Sequence, residues 1–157
     1  MANQLVPVTG GCLCGAVRFE STAPPIRGFY CHCTICQKNY GGLFQATVKF
    51  AGSAFAFAKG EPKYYRSSEF ARRGFCAECG SPIMFEYDGN PDIWVLIGSL
   101  DHPKDWPLTK DAPWGQTEHV CIESKVLWYE INDGLPQKPS ELMVARAAAI
   151  KYTVRSP

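Results

Sequence analysis

The sequence predicts a mainly β fold of antiparallel sheets with one short helix at the C-terminal end. Three observations carry this prediction. Strand-length segments of alternating or continuously apolar residues recur along the chain. Glycine and proline divide those segments. The one stretch with strong helix-forming composition, the Ala-rich residues 141–151, comes after all of them. With 157 residues, 46% of them apolar, the chain has material for one domain with a real hydrophobic core and does not read as disordered.

The elements follow in order. Gly10-Gly11-Cys12-Leu13-Cys14-Gly15 opens the domain, and its flanking glycines let the backbone wrap tightly. Residues 16–22 alternate small or apolar side chains with Arg18 and Glu20 and read as a strand, broken by Pro24-Pro25. The segment Cys31-His32-Cys33-Thr34-Ile35-Cys36 follows. Residues 43–50 and 53–57 are strands separated by Ala51-Gly52, and residues 63–66 are a short aromatic strand. Arg72-Arg73-Gly74-Phe75 leads into Cys76-Ala77-Glu78-Cys79-Gly80, where Gly80 can take the left-handed conformation that a metal knuckle needs. Residues 83–87 form a strand that Asp88-Gly89-Asn90-Pro91 ends. Residues 93–97 are an apolar run bounded by turn residues, hence a buried central strand. Residues 101–115, rich in Pro and Trp, read as a long loop, and His102 belongs to it. Residues 119–124 and 125–131 read as late strands. Asp133-Gly134-Leu135-Pro136 closes the domain, taken as residues 10–137. In the tail, residues 138–157, Ser140 can cap the helix.

Composition narrows function. A net charge of +1 argues against nucleic acid or an anionic membrane surface as partner. No apolar run reaches membrane-spanning length. The first residues have neither a basic nor an apolar signal region. Eight cysteines therefore read as metal ligands in a reducing, cytoplasmic compartment rather than as a secreted disulfide scaffold.

Seven of the eight fall into clusters: Cys12 and Cys14; Cys31, Cys33 and Cys36; Cys76 and Cys79. In an extended segment Cys31 and Cys33 point to one side, and Cys36 follows at knuckle spacing. Thiolates favour a soft ion, with zinc the default. The two pairs together give four ligands and a closed, structural site. The triple gives three, leaving one coordination position open. Spacing alone also allows one pair to share an ion with the triple. Cys121, in a strand-like Val120-Cys121-Ile122 context, reads as a small buried apolar residue rather than a ligand.

These motifs carry a resemblance. Gly11-Cys12-x-Cys14-Gly15, Cys31-His32-Cys33-x-x-Cys36 and Phe75-Cys76-x-x-Cys79-Gly80-Ser81 occur in the order found in the glutathione-dependent formaldehyde-activating family, which includes the centromere protein V type. His119-Val120, Ser124-Lys125, Trp128 and Asp133-Gly134-Leu135-Pro136-Gln137 extend the likeness. The resemblance implies an Mss4-like β fold. It also implies a structural zinc on Cys12, Cys14, Cys76 and Cys79, and a catalytic zinc on Cys31, Cys33 and Cys36. A thiol such as glutathione would take the open position, and the implied activity is that of a carbon–sulfur lyase handling its formaldehyde adduct. Zinc would lower the thiol pKa, and nearby cations would offset the accumulated thiolate charge. His32, Lys38, Arg72 and Arg73 are candidates by proximity in the chain. His119 reads equally as an acid/base or as a core histidine. The alternative from another class is a zinc-stabilised binding module without catalysis. The unbalanced three-cysteine set favours the enzyme.

Overall fold

Residues 7–105 and 115–140 are described by the structure, a computed structural model. The predicted C-terminal helix, residues 141–151, lies outside them. The described part is mainly β, as the sequence predicts. In chain order its elements are β1 (Val8–Gly11), β2 (Arg18–Ser21), β3 (Arg27–Cys31), helix α1 (Thr34–Tyr40), β4 (Gln45–Phe50), β5 (Phe55–Lys59), β6 (Lys63–Ser68), β7 (Ala71–Phe75), β8 (Pro82–Tyr87), β9 (Ile93–Leu96), β10 (Gln116–Val120) and β11 (Gln137–Lys138).

The strands make two sheets. A three-stranded antiparallel sheet has the order β1-β2-β5. Phe19 of β2 is buried there and stacks on Phe55 of β5 at 5.1 Å. The larger sheet has eight strands in the order β11-β10-β3-β4-β9-β8-β7-β6. Its body is antiparallel, but β10 runs parallel to both β3 and β11. β9 lies inside this sheet, and Trp94, Val95 and Leu96 are buried, as a continuous apolar run bounded by turns requires.

Cross-strand pairing sets the face that matters for function. Arg27 pairs with Lys49, Lys49 with Trp94, Trp94 with Phe85, and Phe85 with Arg73. Directly opposed residues share a face, so this row crosses five strands on one side of the sheet. Two residues along β3 comes Phe29, and two further comes Cys31, on the same side.

Several elements differ from expectation. Strands β1, β3 and β7 were not predicted as strands, because Gly, Cys and Arg hide the alternation. In β7 the inward residue between Arg72 and Gly74 is itself an arginine. Helix α1 was also not anticipated. Cys33 caps it with its sulfur accepting from the Cys36 N–H, and Gly41 ends it in the left-handed conformation. Residues 125–131 form no strand. Leu127 and Trp128 are exposed, and the Lys125 ammonium donates to the Val126 and Tyr129 carbonyls that a ladder would need.

Candidate functional site

Two groups of thiols converge. Cys12, Cys14, Cys76 and Cys79 have sulfurs that all lie within 4.8 Å of one another. Cys12 and Cys14 sit in the turn after β1, where the Gly15 N–H bonds to the Cys12 carbonyl. Cys76 and Cys79 sit in the turn between β7 and β8. There the Gly80 N–H bonds back to the Cys76 carbonyl at 2.9 Å, and Gly80 has φ of 76°. Only a residue without a Cβ enters that conformation freely. The Leu13 N–H donates to Ser81 Oγ at 3.1 Å, joining the two turns. The Cys12 sulfur accepts from the Val17 N–H at 3.2 Å, and hydrogen bonding with Ser81 pulls the Cys79 thiol down to about 5. Four converging sulfurs with N–H donors aimed at them fit a tetrahedral thiophilic ion. This cluster ties the small sheet to the large one.

Cys31, Cys33 and Cys36 form the second group, again within 4.8 Å of one another. Cys31 ends β3, Cys33 caps α1, and Cys36 lies in the first turn of α1. The strand-to-helix turn at His32 thus folds three thiols onto one point. Sulfur contacts with Cys121, Cys31 and Cys36 hold the Cys33 thiol far below the ordinary thiol range. Three soft donors around one point fit a metal with a coordination position to spare.

A cavity of about 690 Å³ opens over this group, a size suited to small-molecule ligands. Phe29, Phe85, Tyr87 and Trp94 line it, and so does Arg73. Arg73 is 7% exposed, with its guanidinium over the Phe85 ring at 5.0 Å. It donates to Gln45 Oε1 at 3.1 Å and to the Cys36 sulfur at 3.6 Å. A buried cation is costly without a counter-charge. Among the described residues no carboxylate is paired with Arg73, so the thiols beside it are its natural partners.

The other predicted candidates do not line this cavity. Arg72 points to the opposite side of β7, pairing with Glu86 at 2.5 Å and lying over Tyr64. Lys38 is exposed on α1. His32, between two inward cysteines, turns the other way by alternation. It is buried against Phe44 and His119, with Nε2 2.9 Å from His119 Nδ1. His119 in turn bonds Asp133 at 2.8 Å and stacks on Tyr30. Burial, and then the charges of His119 and Lys125, pull His32 down to about 4, so it is neutral near pH 7. His119 is thus buried, held between His32 and Asp133.

Cys121 is the residue that sequence reasoning passed over. It is buried, as expected, but its sulfur lies 3.8 Å from the Cys31 sulfur, and it lines the cavity. The parallel pairing of Val120 with Cys31 puts it there. A parallel partner strand some ninety positions away leaves no local pattern that would reveal it.

A mainly β, thiol-rich fold with two metal-competent cysteine groups, one beneath a cavity, defines the class. The comparisons give the family. The family model described as glutathione-dependent formaldehyde-activating enzyme matches residues 7–114, and the chain belongs to that family. A Schizosaccharomyces pombe protein named an uncharacterized lyase is 29% identical over 126 residues, covering 77% of this chain and 82% of that protein. A Halomonas elongata protein, provisionally named a glutathione-dependent formaldehyde-activating enzyme, is 29% identical over 135 residues, covering 78% and 79%. A Rhodobacter sphaeroides crystal structure superposes with a TM-score of 0.46 at 24% identity, over 59% of this chain and 87% of that one.

Proposed function

We propose that the chain is a zinc-dependent carbon–sulfur lyase that makes and breaks the adduct of a thiol with a small carbonyl, glutathione and formaldehyde being the pair the family name points to. The observation that carries this is the three-thiol group beneath a cavity with a buried, otherwise uncompensated Arg73. Cys31, Cys33 and Cys36 would hold one zinc, and Cys12, Cys14, Cys76 and Cys79 a second, structural one. Bound at the triple, zinc supplies a lowered thiol pKa, so that substrate sulfur is presented as thiolate.

The chain's own residues do the rest. Arg73 offsets the negative charge that gathers as thiolates accumulate, and the aromatic walls keep that charge interaction out of bulk water. In the forward direction the thiol S–H bond and the carbonyl π bond are lost, and a C–S and an O–H bond form. Tyr87 and Ser124 offer hydroxyls along the cavity wall for the oxygen that gains the proton. His32 and His119 brace each other on the far side of the Cys31–Cys33 segment, Nε2 to Nδ1 at 2.9 Å. The unit carrying this chemistry would span residues 10–137 and work in the cytoplasm. The test is a glutathione titration with zinc stoichiometry. Two zinc ions per chain and saturable thiol binding that Arg73→Leu weakens tenfold or more are expected. Glutathione binding unaffected by removal of the triple would refute it.

A further inference from the structure

We propose that Cys121 is a fourth, exchangeable thiol ligand at the Cys31, Cys33 and Cys36 site, occupying the position that substrate thiol takes over. This rests on the reading above that the triple holds an ion. Sulfurs sharing a tetrahedral zinc at about 2.3 Å stand about 3.8 Å apart. In the four-cysteine group the close sulfur contacts are 3.5 and 3.8 Å. The Cys121 sulfur stands 3.8 Å from that of Cys31, one such edge away. It is not among the sulfurs that all lie within 4.8 Å of one another, so it stands at the margin of the triple, interacting with Cys31 and Cys33. A ligand that comes and goes has that placement.

The backbone agrees. Cys121 has φ of 58° and ψ of 41°, the only non-glycine residue with positive φ among the described residues. A side chain there is strained, and glycine or asparagine would occupy the turn more readily. The turn swings the Cys121 sulfur off the end of β10 toward the end of β3. Exchange keeps the local charge constant, because one thiolate replaces another. The incoming thiol gives its proton to the departing Cys121 sulfur, so one S–H bond breaks and one forms. Cys121 thereby serves as proton acceptor for the thiol that displaces it.

Cobalt substitution reads this directly, because thiolate-to-cobalt charge-transfer absorption scales with the number of bound thiolates. Cys121→Ser should lose about one eighth of the intensity of the eight-cysteine protein. Glutathione should leave the unmodified protein's intensity unchanged and raise that of Cys121→Ser. Equal spectra for the two, both rising with glutathione, would overturn the proposal and leave the three-ligand site standing. If Cys33→Ser also matches the unmodified protein, no ion sits at the triple, and the underlying reading fails with it. Zinc X-ray absorption on the unmodified protein needs no variant to fold. An average of about four sulfurs per zinc supports Cys121, and about three and a half excludes it.

Discussion

Single residues divide here into those that hold the fold and those that hold charge at the cavity. Asp101 belongs to the first kind. Its carboxylate accepts from both Arg18 amino groups and from Thr9 Oγ1, tying β1 and β2 to the loop after β9. The Arg18 guanidinium holds the Asp101 carboxyl below its ordinary value of 3.8. A carboxyl depressed in the folded state stabilises above its unfolded pKa, and that stability is lost as pH falls through the folded one. Asp101→Asn should therefore cost about 0.5–1 kcal/mol at pH 7, the range for partly exposed pairs. The difference from the unmodified protein should shrink as pH falls below the ordinary carboxylate value of 3.8 and vanish once pH is below the depressed folded pKa. Denaturant melts at several pH values check it, and a pH-independent difference would show that the ion pair is not responsible. Arg73 is of the second kind. It was legible as a candidate only by its nearness to Cys76 in the chain, as was Arg72. Strand alternation separated them, sending Arg73 to the cavity and Arg72 to solvent.

At the scale of elements, the knuckle turns were legible and the triple-cysteine segment was half legible. Glycine after a Cys-x-x-Cys pair has one physical use, and Gly80 has it. An added Cβ at Gly80 meets nothing within 4 Å, so Gly80→Ala should cost only the conformational penalty, about 1–2 kcal/mol. A thermal melt measures it. A loss several times larger, accompanied by loss of metal, would mean that the turn cannot form at all without glycine. The sequence places Cys31 and Cys33 in an extended segment and Cys36 at knuckle spacing after it; what it does not show is that Cys36 lies in a helix. Helix α1 is seven residues long, too short for apolar periodicity to announce it. What starts it is the Cys33 sulfur acting as N-cap, a role that Ser or Asp usually signals and Cys does not.

For the whole molecule, the fold class and the three cysteine motifs were legible from local pattern and spacing, whereas the joining of Cys12 and Cys14 to Cys76 and Cys79 was legible only through the family resemblance. The sheet order, the parallel docking of β10 on β3, and the approach of Cys121 were not, because they depend on pairing between distant strands. The architecture gives the two thiol groups different burdens. The four-cysteine group joins the two sheets, so an ion held there would contribute directly to folding, on a scale of about 10–16 kcal/mol if it is structural zinc. Cys76→Ser should therefore lose its cooperative melt and that zinc together. The three-cysteine group sits at the end of β3 beneath the cavity, within a sheet that its strands already hold. The most direct test is turnover of S-hydroxymethylglutathione by Cys33→Ala, with its melt recorded on the same sample. The account predicts a protein that melts cooperatively within a few degrees of the unmodified chain, keeps one zinc, and has lost turnover at least a hundredfold (on the order of 3 kcal/mol in the barrier). A folded Cys33→Ala protein with full turnover would contradict it.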